Sequence, residues 1–227
     1  MTTDRDQLAA LLDHSVLKPD AVAADIDAGA ALVRRWRVGY YCVQPCWVQR
    51  AVTGLAASQA RVVSVVAFPH GCDRAAAKAR ATALAIEDGA AEIDMVLAFG
   101  ALRSGDATLV AADIAAVVRA AGTVPVKVIL EAAALSDGEK RLGCRLAVDA
   151  GAAFVKTSTG FHPGGGATVH DVHLLRAEVG AGLGVKASGG IRNLADARAM
   201  LAAGASRLGT SATAAILGAL PGDEPPP

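Results

Sequence analysis

Six lysines stand against sixteen arginines in this chain of 227 residues, and two of the six occupy matching places. Lys156 lies in "FVKTSTGF" and Lys186 in "LGVKASG", each inside a short β-rich run that opens into a glycine-bearing loop. Lysine is a poor strand former and is seldom buried without a partner, so both positions ask for a chemical reason. Side chains alternate along a strand. Phe154, Lys156 and Ser158 therefore share one face, and Gly184, Lys186 and Ser188 share another. Asp94 lies opposite Ile93 and Met95, and Lys127 and Glu131 lie opposite Val126, Val128 and Leu130. Asp13 and Ser15 also share a face. The apolar set suits packing against helices, which sends the charged set into the interior of a closed sheet.

A lone lysine near a strand end reads as a paired or solvated one. Two on neighbouring strands, facing an aspartate, form a different pattern. Adjacent ammonium groups repel, and the repulsion lowers the pKa of one of them. At an ordinary pKa of about 10.4, a lysine is neutral roughly once in 2,500 molecules at pH 7. Lowering that to about 7 needs a differential stabilisation of about 4.6 kcal/mol. The product is a neutral amine able to attack a carbonyl and form a Schiff base.

These residues need a scaffold. Eight β-rich runs, at 11–17, 39–43, 61–68, 91–98, 124–131, 153–158, 183–189 and 206–211, alternate with Ala-rich helical segments. The helices are expected near 20–36, 45–57, 73–89, 106–121, 136–150, 168–180, 193–203 and 212–219. Ser136 and Glu139 fit a capping box, and Asn193 can cap the helix after it. A small repeat, "EDGAAEID", "VDAGAAFVK" and "LAAGASRLG", marks three helix ends at Gly89, Gly151 and Gly204. Glycine tolerates the left-handed backbone that closes a helix. Eight βα units point to one α/β domain, a (β/α)₈ TIM barrel over residues 1–220. A doubly wound open sheet is the alternative, but G-x-G-x-x-G after the first strand is missing. Residues 221–227, "PGDEPPP", are expected to form a flexible Pro-rich tail.

In such barrels the active site sits at the C-terminal ends of the strands, and phosphate is often bound after strands seven and eight. "SGG" (Ser188 to Gly190) and "GTS" (Gly209 to Ser211) fall at those places, where glycine lets backbone N–H groups approach an anion. "HPGGGAT" at 162–168 leaves two readings open, a lid and a long turn. His170 and His173 are spaced i, i+3 without an evident third ligand, so a surface helix is favoured over a metal site. Trp36 and Trp47 read as packing residues. Cys42 reads as a buried inert thiol.

Net charge is +0 and the pI near 7.0, with no basic stripe, so neither nucleic acid nor an anionic membrane is an expected partner. The four cysteines lack zinc spacing, and reduced thiols in a cytoplasmic protein are the plain expectation. The N-terminus lacks a signal-type apolar core, and no run of about eighteen apolar residues exists.

Taken in order, "LLDHSVLKPDA", "EIDMV", "VKVILE", "FVKTSTGF", "GGATVHDV", "VKASGGIR" and "RLGTS" resemble the 2-deoxyribose-5-phosphate aldolase family over nearly the whole chain. The resemblance implies Lys156 as the Schiff-base lysine and Lys186 as the neighbouring cation that lowers its pKa. Asp94 would act with a water as the proton relay. Gly189, Gly190, Gly209 and Ser211 would hold the substrate phosphate, and Asp13 and Lys127 would support the polar network. It further implies small aldehydes and a sugar phosphate as partners, no metal or other cofactor, and a homodimer. The chain departs from the family at four places: Gln44 for the usual Asn, Ala212 for a common second serine, "ILEAAAL" for a more polar stretch, and a C-terminal tail without tyrosine. Three rivals stay open: another Schiff-base aldolase or transaldolase with a different donor, a non-catalytic sugar-phosphate binder, and a metal-dependent aldolase.

Overall fold

The computed structural model describes residues 4–56 and 58–221. Eight parallel strands close into a barrel in sequence order. They are β1 (Leu12–Val16), β2 (Tyr40–Val43), β3 (Arg61–Val66), β4 (Glu92–Val96), β5 (Val126–Ile129), β6 (Phe154–Lys156), β7 (Gly184–Ser188) and β8 (Arg207–Thr210). Each of the eight expected runs supplies one strand. Helix α1 (Arg5–Ala10) precedes the barrel, and α2 (Ala23–Arg35), α3 (Val48–Gly54), α4 (Ala75–Glu87), α5 (Phe99–Arg103), α6 (Ala107–Ala121), α7 (Asp137–Asp149), α8 (Val169–Val179), α9 (Leu194–Ala202) and α10 (Thr213–Gly218) surround it. Of the tail assigned to 221–227, all but Pro221 lies outside the described residues.

The expected helices appear with trimmed ends, and two short ones, α1 and α5, are additional. Six and five residues are too few for a 3.6-residue period to stand out. Strands β3 and β5 stop short of their expected ends for a backbone reason. Ala67 (φ 54°) and Glu131 (φ 58°) take left-handed conformations that leave the sheet. The Ser136 hydroxyl accepts from the Glu139 N–H at 3.4 Å, while the Glu139 carboxylate accepts from the Ser136 N–H at 2.7 Å. Asn193 likewise caps α9 by accepting from the Asp196 N–H. Gly89, Gly151 and Gly204 all have positive φ, as the repeat predicts.

The alternation sorts the side chains as expected. Ile93, Met95, Val126, Val128, Val155, Val185, Ala187 and Leu208 are buried between barrel and helices. Trp36 and Trp47 pack at the edge of that core. A smaller apolar cluster, Leu17, Cys42, Val63 and Val65 with Tyr40 and Phe68 against it, is built from β2, β3 and the residues that follow β1 and β3. Charged residues from β1, β4, β5, β6, β7 and β8 occupy the rest of the interior.

Candidate active site

In-register pairing sets Lys156 beside Lys186 across β6 and β7, and Asp94 beside Lys127 across β4 and β5. One carboxylate gathers all three amines. Asp94 Oδ2 accepts from Lys156 Nζ at 2.7 Å and from Lys186 Nζ at 2.8 Å, and Oδ1 accepts from Lys127 Nζ at 2.8 Å. Lys186 also bonds Asp13. The four side chains first singled out around Lys156 thus form one buried constellation.

Two further members escaped the sequence reading. Glu92 accepts from Lys127 Nζ at 2.5 Å, and Arg207 spans Asp13 at 3.1 Å and Glu92 at 3.2 Å. The signal was available, because Glu92 is two residues before Asp94 and Arg207 two before Gly209, on the same faces. The Arg207 guanidinium lies over the Tyr40 ring, 3.3 Å from its centre, and 5.2 Å from the centre of the Phe154 ring. Gly184 makes room for that Phe154 ring, since a Cβ there would lie 2.0 Å from it.

Burial pushes the Lys156 amine below its ordinary value; Asp94 opposes the shift and Lys186 adds to it. Desolvation is therefore the larger cause, ahead of the lysine–lysine repulsion emphasised from sequence. Burial would lower Lys186 too, but Asp13 and Asp94 together hold it above the ordinary lysine range. Burial would raise Asp94, yet Lys127, Lys156 and Lys186 hold it well below the usual carboxylate range. The two lysines thus part in opposite directions: Lys186 keeps its proton and Lys156 gives its proton up more readily.

Above them opens a cavity of about 780 Å³, with Lys156 and Lys186 in its wall. Gly189, Gly190, Gly209 and Ser211 line it, as do Thr159, Arg192 and Lys18, which the sequence reading passed over. Gly189 and Gly190 have φ of 83° and 81°, a backbone that favours glycine. Ala212 also lines the cavity, with its N–H donating to the Thr210 hydroxyl at 2.9 Å. Gln44 donates to the Leu17 carbonyl at 3.0 Å and ties down the loop leaving β1. The run "ILEAAAL" ends β5 and turns through a 3₁₀ segment at Ala132–Ala134. The 162–168 run is a turn seated on its neighbour. Ala167 N–H donates to the Ser188 and Gly189 carbonyls at 3.0 Å, and Gly166 touches Gly189 so closely that a Cβ would meet its carbonyl oxygen at 2.2 Å.

Cys42 is buried in the cavity wall, and burial pushes its thiol up to about 11. His14, also in that wall, is pushed down to about 4 by burial and hydrogen-bonds Thr213 at 3.0 Å. His170 and His173 are exposed on α8. Asp137, His170 and Asp171 converge to within 4.8 Å, but the Lys140 ammonium already binds both carboxylates, at 3.1 and 2.7 Å.

A closed parallel barrel with a buried, carboxylate-bound lysine pair in the wall of its cavity is the architecture of a lysine-dependent, class I aldolase. Residues 7–220 match the family model described as DeoC/LacD family aldolase. The chain is 49% identical over 219 residues to deoxyribose-phosphate aldolase 1 of Bacillus licheniformis, covering 96% of this chain and 98% of that protein. It is 52% identical over 206 residues to the deoxyribose-phosphate aldolase of Streptococcus pneumoniae, covering 91% and 93%. Among solved structures, the aldolase QR15 superposes with a TM-score of 0.89 at 32% identity, over 93% of this chain and 94% of that one. The tetrameric deoxyribose phosphate aldolase of Aeropyrum pernix does so with a TM-score of 0.88 at 29% identity, over 95% and 91%. The chain belongs to the DeoC/LacD family of aldolases.

Proposed function

We propose that this protein cleaves 2-deoxy-D-ribose 5-phosphate reversibly to acetaldehyde and D-glyceraldehyde 3-phosphate through a Schiff base on Lys156. The observation that carries the reading is one shared oxygen: Asp94 Oδ2 binds both amines in the wall of a sugar-sized cavity. In the synthetic direction, neutral Lys156 attacks the acetaldehyde carbonyl, and loss of water leaves an iminium. A proton then leaves the carbon next to the iminium, and the resulting enamine attacks the aldehyde of glyceraldehyde 3-phosphate. Hydrolysis of the new iminium frees the amine.

Lys186 stays charged and supports the shift at Lys156. A carboxylate held below its usual range is a weak base, so Asp94 acts by orienting the amines and by passing the proton through a water. Such acid–base help is worth about 10²–10⁴-fold. The phosphate fits the rim formed by Gly189, Gly190, Gly209 and Ser211, where exposed Arg192 adds a positive charge. Asp13 and Lys127 support the network from below. Assembly as a homodimer and a cytoplasmic location complete the reading; no helix among the described residues is long and apolar enough to cross a membrane.

Borohydride reduction in the presence of acetaldehyde, followed by peptide mass mapping, tests the proposal. An ethyl group on Lys156, absent from Lys156→Met, is expected. A wild-type protein that binds sugar phosphate but gives no adduct is a binder and not an aldolase. Acetaldehyde preferred over dihydroxyacetone as donor separates this reading from a transaldolase-like one, and full activity in a chelator separates it from a metal-dependent one.

A further inference from the structure

The ion pairs beneath Lys156 close on themselves. Arg207 binds Asp13 at 3.1 Å, Asp13 binds Lys186, and Lys186 binds Asp94 at 2.8 Å. Asp94 binds Lys127 at 2.8 Å, Lys127 binds Glu92 at 2.5 Å, and Glu92 returns to Arg207 at 3.2 Å. Three carboxylates and three cations alternate around this ring, and each touches two groups of opposite sign. All six are buried, with Arg207 the most exposed at 6%. Lys156 stands outside the ring, joined to it through an oxygen that Lys186 already shares.

With every group ionised, the ring is neutral and Lys156 leaves one positive charge over. When Lys156 alone loses its proton, the whole buried cluster is neutral. An uncompensated charge in a dry interior is the one most readily given up. Lys156 meets Asp94 from β4, Lys186 from β7 and Cys42 from β2, while Asp13 from β1, Glu92 from β4, Lys127 from β5 and Arg207 from β8 complete the ring; Glu131, buried in the loop after β5, is engaged by the Thr159 N–H and hydroxyl, and the buried residues of β3, Val62 to Val66, include no ionisable side chain.

We propose that Glu92 and Arg207 are positioning residues for the chemistry at Lys156: by closing the ring they occupy the surrounding carboxylates and leave Lys156 the single unmatched amine. Both sit at the first residue of their strands, β4 and β8, below the cavity, and neither lines it. They therefore act on the amine without touching substrate. The inference rests on Lys156 being the imine-forming group.

The test reads the pH midpoint at which Lys156 becomes reactive, from the rate of borohydride-trapped ethylation of its peptide by acetaldehyde. Glu92→Gln removes a negative charge and is expected to move the midpoint to lower pH. Arg207→Met removes a positive charge and is expected to move it to higher pH. Each shift should be on the order of one pH unit, what a unit charge about 10 Å away produces at an effective dielectric constant of about 20. The double variant E92Q/R207M restores neutrality and should return close to the wild-type midpoint, and Arg207→Lys, which keeps the charge, should leave it in place. A midpoint does not depend on how much protein folds, so a poorly folding variant still reports. Residues that only brace the barrel would reduce yield or melting temperature with the midpoint unmoved, or would shift both single variants the same way. Either result overturns the proposal, and an unmoved Glu92→Gln midpoint does so by itself. Absence of any wild-type adduct on Lys156 would instead strike the parent reading.

Discussion

Lysine is the scarce cation of this chain, and five of its six copies are buried: Lys78, Lys127, Lys140, Lys156 and Lys186. Arginine could carry the paired charge at several of these places, but it does not give up its proton in proteins, so a nucleophilic amine must be lysine. That scarcity made Lys156 and Lys186 legible from sequence, and the alternation of faces added Asp13, Asp94 and Lys127. The sequence shows only the face that Glu131 occupies, and the structure gives it a different task. From its left-handed backbone it accepts from the Thr159 N–H at 3.2 Å and from the Thr159 hydroxyl at 2.5 Å, fixing the loop that follows Lys156. Glu131→Ala leaves two buried donors unmatched. It is expected to cost about 1–3 kcal/mol, read as a lowered denaturant midpoint, with Glu131→Gln milder because it keeps an acceptor.

Strands and helices were the most readable level, since capping residues, glycine stops and two-residue alternation are local signals. Loops were less so, because their conformation depends on what they lean against. The 162–168 run suits both a lid and a turn by sequence, and the close approach of Gly166 to Gly189 makes it a turn. That contact couples the loop after β6 to the loop after β7, where the phosphate is proposed to bind. Gly166→Ala would drive a Cβ into the Gly189 carbonyl and displace the second loop. Losing one charge-assisted hydrogen bond there, about 1.5–3 kcal/mol, predicts a KM for deoxyribose 5-phosphate raised roughly 10–100-fold. Unphosphorylated deoxyribose should be turned over with little change, and steady-state kinetics on the two sugars checks the difference.

Taken whole, the barrel wraps its helices around a charged interior, and this shapes its response to acid. Burial works to raise Asp13 and Asp94, but the surrounding cations hold both below their ordinary 3.8. A carboxylate depressed in the folded state contributes stability that is present above its unfolded pKa and lost as pH falls through the folded one. His14, held neutral by burial with its value pushed down to about 4, adds an earlier loss, because the unfolded chain protonates that ring below about pH 6.5. The melting temperature should therefore begin to fall below about pH 6.5 and fall further below about pH 4 as the carboxylates take up protons, followed by circular dichroism. Because the pairs are buried, 1 M salt should leave the neutral-pH melting temperature nearly unchanged, unlike a surface network screened over about 3 Å. A loss on adding salt would show these pairs to be open to solvent. The sequence by itself determined the eight strands, the helix ends and the faces that carry charge, because those follow from neighbours a few residues apart. Only the tertiary structure decided that Arg207 meets Glu92 across 115 positions and Lys186 meets Asp13 across 173. Such pairings depend on the register of every strand around a closed sheet, and no local pattern encodes where the last strand lands against the first.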